Sequence, residues 1–108
     1  MINLQVIFKT LMSIIFEVED RTGRLIRLTN ERWNHITEKH PYMTNHLREI
    51  EESITTPDKT TTHRFGNLID YYRYYKHKRG KLKFLKIVAK YLNGKGFILS
   101  AYFVININ

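Results

Sequence analysis

The chain has 108 residues, a formal net charge of +8 and no cysteine. This length favours one domain, spanning 1–108, with a single hydrophobic core. The absence of cysteine excludes disulfide bonds and thiolate metal sites, and it fits a reducing compartment, so we expect a cytoplasmic protein. The apolar stretch 1–16 is too short and interrupted to span a bilayer and lacks a signal-peptide pattern, so we expect no membrane association. Met12 is an alternative start, which would make residues 1–11 an N-terminal extension.

The positive charge is concentrated in the second half of the sequence. Residues 1–58 contain seven Lys or Arg against nine Asp or Glu, whereas residues 59–108 contain eleven against one, Asp70. Surplus cations on a surface often serve solubility alone. A block this one-sided also repels itself, and it therefore favours an anionic partner such as RNA.

The first elements in chain order are two short β-rich runs, at 14–19 and 24–28. A polar, Gly-terminated link joins them, which is typical of a β-hairpin. Residues 3–8 either add another strand or form a short helix, because periodicity does not distinguish the two in so short a run.

Two helices are predicted next. The first runs to about Lys39 and stops before Pro41, because the residue before a proline is pushed away from helical geometry. The second presents an apolar stripe at helical spacing, formed by Met43, Leu47, Ile50 and Ile54. The N-cap candidates are Thr29 and Asn30 for the first helix, and Thr44 and Asn45 for the second.

From Lys59 onward the apolar period changes from 3.6 to 2, which indicates strands. A tight turn over 93–96, beginning Asn-Gly, predicts a hairpin between the last two strands. The predicted strands cover 60–64, 68–76, 82–92 and 97–107.

Alternation in the last strand predicts which face is buried. One face is wholly apolar and should pack on the helices: Phe97, Leu99, Ala101, Phe103, Ile105 and Ile107. The opposite face should carry Ile98, Ser100, Tyr102 and Val104, together with Lys86 and Lys90 of the preceding strand. We therefore predict an α+β fold with an N-terminal β-hairpin and two helices packed on one face of a C-terminal antiparallel sheet of about four strands.

The polar residues do not predict a metal site. His35 and His40 are five residues apart, so they do not stack on one helix face as i, i+4 ligands do. Cleavage of RNA without metal instead needs a base, an acid and a cation, and histidine with lysine or arginine can supply them.

Each candidate also has an ordinary structural interpretation. His35 fits an exposed helix position, His40 a helix C-cap, and His77 a basic turn, whereas His63 has no predicted orientation. The tyrosines between 71 and 75 either stack on bases or pack in the core, and strand alternation allows at most half of them on one face.

The helix signature resembles that of small phage- and prokaryote-associated domains of the barnase–EndoU–colicin–RelE nuclease superfamily. The matching stretch is Leu28-Thr29-x-x-Arg32-Trp33-x-His35-Ile36-x-x-x-His40-Pro41. Later pieces agree in order, namely Thr56-Pro57-Asp58, Tyr71-Tyr72-Arg73, Lys86-Ile87-Val88 and Ser100-Ala101-Tyr102. The similarity covers about 14–107. Serine at position 100 departs from the threonine that is more usual in the family.

The resemblance implies two helices on an antiparallel sheet and a metal-independent ribonuclease, often a toxin or anti-phage effector. It implies His35 and His40 as acid and base candidates, Arg73 and Lys86 as phosphate ligands, and Ser100 and Tyr102 as last-strand contributors.

The sequence as a whole predicts a metal-independent endoribonuclease without cofactor, whose product is a 2′,3′-cyclic phosphate and whose partners are RNA and an acidic antitoxin. The alternative is a non-catalytic module that binds RNA or an antitoxin through the same basic face. The predicted catalytic residues are His35, His40, Lys86, Ser100 and Tyr102. The predicted RNA-binding residues are Arg32, His63, Tyr72, Arg73 and Lys90.

Overall fold

The computed structural model describes residues 13–63, 65–76 and 79–107. The proposed extension over 1–11, the element considered at 3–8, and His77 lie outside these described residues. Within them the strands are β1 (Ile14–Glu19), β2 (Leu25–Thr29), β3 (Lys59–Thr62), β4 (Leu68–Tyr74), β5 (Phe84–Leu92) and β6 (Lys95–Val104). The helices are α1 (Asn30–Lys39), a 3-10 helix (Pro41–Asn45) and α2 (Leu47–Thr55).

All six strands belong to one mixed sheet in the order β1-β2-β6-β5-β4-β3. The pairs β3–β4, β4–β5 and β5–β6 are antiparallel, and β1 with β2 forms the predicted hairpin. The prediction of about four strands was too low, because β2 also pairs with β6, in parallel, through Ile26 with Gly96 and Arg27 with Phe97. Hairpin turns leave a local sequence signal, but a parallel pair between distant strands leaves none.

Gly96 lets β2 approach β6 closely. A Cβ atom there would lie 2.4 Å from Cδ1 of Ile26 and 2.7 Å from the backbone oxygen of Leu25. Because carbon atoms pack at about 3.5–4.0 Å, any side chain at this position would push the strands apart. The turn itself needs only Asn93 and Gly94, whose positive φ angles of 54° and 79° suit a tight two-residue hairpin.

The start of α1 confirms its predicted cap, whereas α2 starts differently. Thr29 Oγ1 accepts a hydrogen bond of 3.2 Å from the backbone N–H of Arg32. Thr44 and Asn45, predicted to cap the second helix, lie in the 3-10 helix instead, and the side chain of His46 at the N-cap accepts no hydrogen bond from the backbone of α2.

The buried core lies on one face of the sheet, here called the inner face, and it includes Ile36 of α1 and Ile50 and Ile54 of α2. The opposite face is the outer face. Helix α1 contacts β2 and β6, and α2 contacts β1, β4 and β5. Each large apolar side chain buried between the layers contributes about 1.5–3 kcal/mol. The core includes Ile26, Leu28, Ile36, Met43, Ile50, Ile54, Ile69, Tyr71, Leu85, Ile87, Ala101 and Phe103. No helix in the described part of the chain is long and apolar enough to cross a lipid bilayer.

Strand β6 contains a β-bulge at Leu99. Val88 of β5 lies opposite Ser100, but the next residue, Ala89, lies opposite Ile98, so Leu99 has no partner on β5. A bulge inserts one residue into the alternation of a strand and redirects the side chains beside it.

The bulge corrects the predicted faces of the last strand. Ala101 and Phe103 lie on the inner face as predicted, but Ile98 takes the next inner position and is fully buried. Phe97 and Leu99, predicted to be in the core, lie on the outer face and are partly exposed. Alternation alone does not reveal where an inserted residue shifts it.

Strand β6 also ends earlier than predicted, at Val104. Ile105, predicted to be in the core, is 58% exposed, and Ile107 likewise follows the end of the strand. Before that end, the backbone N–H of Phe103 donates a hydrogen bond of 3.2 Å to the hydroxyl of Tyr42 in the 3-10 helix. The chain after α1 therefore covers part of the β6 edge that β2 does not pair with.

Candidate functional site

Lys86 occupies the centre of the outer face. It lies on β5, and its cross-strand neighbours are Tyr72 on β4 and Tyr102 on β6. The Nζ atom of Lys86 is 5.6 Å from the ring centroid of Tyr72 and 5.8 Å from that of Tyr102, within cation–π range of both. The lysine side chain is 23% exposed, so strand pairing holds the ammonium group in place while solvent still reaches it.

Asp70 and His63 lie on the β3 side of Lys86. Asp70 Oδ2 is 3.9 Å from Lys86 Nζ and 2.6 Å from His63 Nε2. Asp70 is only 6% exposed, whereas the His63 ring is partly open to solvent. Because the carboxylate contacts Nε2 of His63, it orients the ring and leaves Nδ1 available for another group.

His40 approaches Lys86 from the opposite side. It is the C-cap of α1, and its backbone N–H donates a hydrogen bond of 2.7 Å to the carbonyl of Ile36. Its ring stacks on Tyr102, with centroids 5.3 Å apart and planes inclined by 27°. Tyr102 therefore contacts both His40 and Lys86. We call the set of His40, His63, Asp70, Tyr72, Lys86 and Tyr102 the outer-face cluster.

The surroundings of His40 favour its neutral form. Burial, followed by the positive charges of Lys39 and His35, lowers the pKa of His40 below its ordinary value of 6.5. A neutral imidazole at pH 7 has a free nitrogen lone pair, so His40 can accept a proton.

The pKa of Lys86 is shifted in the opposite direction, upward. Burial acts to lower the pKa of Lys86, but a hydrogen bond with Tyr72 and electrostatic interactions with Tyr102 and Asp70 outweigh burial, and the pKa is raised. The ammonium group therefore stays charged at neutral pH.

A ligand bound at the outer-face cluster would not reach Arg73 or Tyr72. Arg73 lies on the inner face, where Nη1 donates a hydrogen bond of 2.8 Å to Oγ1 of Thr56 at the end of α2. Tyr72 shares the outer face with Lys86 but is only 2% exposed, so its ring supports the lysine and is not open for stacking on a base.

Ser100 and His35 lie at the margin of the cluster. Ser100 is on the outer face opposite Val88, two residues before Tyr102 on the same strand. His35 is exposed on α1, and no hydrogen bond or ring contact joins it to the cluster within the described ranges. Its charge still acts on the pKa of His40.

Arg32 and Lys90, two further predicted RNA-binding residues, line one cavity of about 230 Å³. The cavity lies where the start of α1 meets the outer face of β5 and β6. Its lining residues are Thr29, Glu31, Arg32, Lys90, Phe97 and Leu99.

Asp70 is the residue of the cluster that the sequence analysis did not assign. A signal was available, because Asp70 is the single acid among 59–108 and therefore stands out in a basic block. Its contact with His63 was not predictable, since it depends on the pairing of β3 with β4. Among the described residues, no group of three or more His, Asp or Glu side chains is placed to hold a metal ion.

No protein-family model, no curated protein and no solved structure matches this chain. The resemblance to the barnase–EndoU–colicin–RelE superfamily consequently rests on the motif and its order alone.

Proposed function

We propose that this protein is a metal-independent endoribonuclease whose active centre is the outer-face cluster. The observation that carries the proposal is a charged lysine, Lys86, fixed between two tyrosine rings on the outer face, with His40 on one side and His63 on the other. Cleavage of RNA by its own 2′-hydroxyl needs a proton acceptor, a proton donor and a cation near the phosphate. The cluster contains one group for each of these tasks.

In the proposed reaction, neutral His40 removes the proton from the 2′-hydroxyl, and the 2′-oxygen attacks the adjacent phosphorus. Lys86 stabilises the added negative charge of the pentacoordinate phosphorane. Protonated His63 gives its proton to the 5′-oxygen as the P–O bond to that oxygen breaks, which leaves a 2′,3′-cyclic phosphate. A general acid or base contributes about 10²–10⁴ in rate, and one positioned charged donor about 2.7–4 kcal/mol.

The other members of the cluster position these three groups. Asp70 orients His63 through its hydrogen bond to Nε2, and Tyr102 supports both His40 and Lys86. Ser100 lies on the same face as Tyr102, and in the proposed reaction its hydroxyl orients a phosphate oxygen. When His35 carries a proton, its charge disfavours protonation of His40.

The charges around the cluster support an anionic substrate. Two cations of the first half form ion pairs with carboxylates, Arg24 with Asp20 and Arg27 with Glu17. Of the lysines and arginines described beyond residue 58, only Lys86 has one. Unpaired cations on a folded surface attract a polyanion in a salt-dependent way.

The test is cleavage of labelled RNA in EDTA by the wild type and by Lys86→Ala, His40→Ala and His63→Ala. Each substitution is expected to lower the rate by at least about 100-fold. The matched control is Lys95→Ala, which removes an exposed lysine from the same hairpin and should retain the activity. The product should end in a 2′,3′-cyclic phosphate, and an oligonucleotide with a single 2′-deoxy sugar should resist cleavage at that position.

Cleavage that requires added Mg²⁺, or equal activity of Lys86→Ala and Lys95→Ala, would contradict the proposal. Salt-dependent binding of RNA that stays intact would favour the alternative, a non-catalytic module for RNA or an antitoxin on the same outer face. With the nuclease we also propose a role as a toxin or anti-phage effector in the cytoplasm, restrained by an acidic antitoxin, because a basic surface that cuts RNA is best blocked by an anionic protein.

A further inference from the structure

We infer that the cavity between the start of α1 and the β-bulge is a base-binding subsite, which takes a nucleotide farther along the RNA strand than the one whose phosphate lies at Lys86. This inference rests on the proposed function, because it gives the outer-face cluster a neighbouring contact to single-stranded RNA. The cavity has a volume of about 230 Å³ and is lined by both cationic and apolar side chains.

The bulge creates the apolar part of this cavity. Without the extra residue in β6, alternation would place Phe97 and Leu99 on the inner face with Ala101, against the helices. With the bulge, both side chains leave the core and line the cavity on the outer face. Two large apolar side chains that line an open cavity, and not the core, are typical of a ligand-binding site. An aromatic or aliphatic wall of this kind suits the flat face of a base.

The cations at the rim fit the phosphate that accompanies the base. Arg32 and Lys90 approach the cavity from different elements, α1 and β5. No ion pair joins either of them to a carboxylate within the described part of the chain, although Glu31 also lines the cavity. Arginine and lysine left without partners beside an apolar wall form the combination that recognises a nucleotide, whose base is flat and whose phosphate is anionic.

The position of the cavity relative to Lys86 makes it an accessory subsite. Lys90 follows Lys86 by four residues on the same strand and face, which corresponds to about 13 Å along β5. One nucleotide bound at Lys86 does not fill a cavity at that distance, whereas a longer strand lying along the outer face does. The subsite should therefore affect the binding of oligonucleotides and leave the chemical step unchanged.

The first measurement is the binding of adenosine 5′-monophosphate, followed by NMR through the backbone amides of Phe97 and Leu99. Leu99→Ala should weaken binding by about fivefold or more, because stacked bases lose contact area. The variant carries little risk for folding, since Leu99 has no partner on β5. Ribose 5-phosphate, which lacks the base, should bind at least about fivefold more weakly than the nucleotide. Equal binding of the two probes would mean a simple anion site and would overturn the inference.

The second measurement compares a dinucleotide with a hexanucleotide in cleavage. The variants Arg32→Ala, Lys90→Ala and Leu99→Ala should raise KM for the hexanucleotide several-fold with kcat unchanged, and should leave the dinucleotide kinetics as in the wild type. Lys95→Ala serves as the matched control. Unchanged KM in all three variants would refute the subsite while leaving the nuclease intact. Nucleotide binding at Leu99 in a protein that cleaves no RNA would refute the nuclease and keep the subsite.

Discussion

Asp20 provides the sharpest test of the physical reasoning, because its contacts predict how stability depends on pH. It lies in the β1–β2 turn and is almost completely buried. Its Oδ1 accepts hydrogen bonds from the backbone N–H and hydroxyl of Thr22 and from the backbone N–H of Arg24. Its Oδ2 accepts from Arg24 Nε at 2.8 Å and from the Tyr71 hydroxyl at 2.6 Å. This carboxylate therefore ties the N-terminal hairpin to β4, and Asp20→Asn would remove the charge and two of its acceptor contacts.

The size of the effect follows from the pKa. Burial acts to raise the pKa of Asp20, but the hydrogen bonds from Tyr71, Thr22 and Arg24 outweigh it and lower the pKa from 3.8 to about 2. A group whose pKa is depressed by folding stabilises the protein above the pKa of the unfolded chain, and that stability is lost as pH falls toward the folded pKa. The contribution is about 2 kcal/mol at pH 7, and about half of it remains at pH 3.

The assay is urea unfolding at pH 7 and at pH 3, followed by the fluorescence of Trp33, the single tryptophan. Asp20→Asn should lower the free energy of unfolding by about 2 kcal/mol at pH 7 and by clearly less at pH 3. Tyr71→Phe removes one of the five donors and should cost about 1 kcal/mol. Glu38→Gln, at an exposed position, should stay within about 0.5 kcal/mol. A difference between the wild type and Asp20→Asn that is the same at both pH values would refute the argument.

Three further substitutions test separate parts of the structure. Gly96→Ala should destabilise the protein by at least about 2 kcal/mol in urea unfolding, since the new Cβ meets Ile26; an unchanged midpoint would argue against the close β2–β6 pairing. Tyr42→Phe should cost about 1 kcal/mol and speed hydrogen exchange at the Phe103 amide, which loses its acceptor. Lys39→Gln should raise the pKa of His40 in an NMR titration and move the acidic limb of the cleavage profile to higher pH; a downward shift would contradict the assigned charge effect.

The local parts of the fold were predictable because their causes are local. The Thr29 cap, the end of α1 before Pro41 and the Asn93-Gly94 turn each depend on a few adjacent residues, and all three are observed. The parallel pairing of β2 with β6 and the bulge at Leu99 depend on strands that are distant in sequence. Neither leaves a periodic signal, so the strand number and the faces of Phe97 and Leu99 were predicted wrongly.

The candidate site shows the same division. Strand alternation correctly placed Lys86, Ser100 and Tyr102 on one face. Ser100 and Tyr102 follow the bulge in β6, and from there on the side chains alternate as predicted. The contact between His40 and Tyr102 joins a helix end to a strand edge, and only the fold brings them together. Adjacent residues of a strand point to opposite faces, so the alternation that puts Tyr72 beside Lys86 puts Arg73 on the inner face. Tyr72 and Arg73 therefore cannot both belong to the outer-face cluster.

The two buried aspartates, Asp20 and Asp70, have different surroundings on the two faces of the sheet. On the inner side, the Asp20 carboxylate accepts hydrogen bonds from its own turn and from Tyr71, and its role is to stabilise the fold. On the outer side, Asp70 contacts both His63 and Lys86, with Oδ2 2.6 Å from His63 Nε2 and 3.9 Å from Lys86 Nζ. The carboxylate thus binds the histidine more closely than the lysine, and the ammonium group of Lys86 is still reached by solvent. This arrangement leaves Lys86 able to contact an anionic ligand, as the proposed function requires.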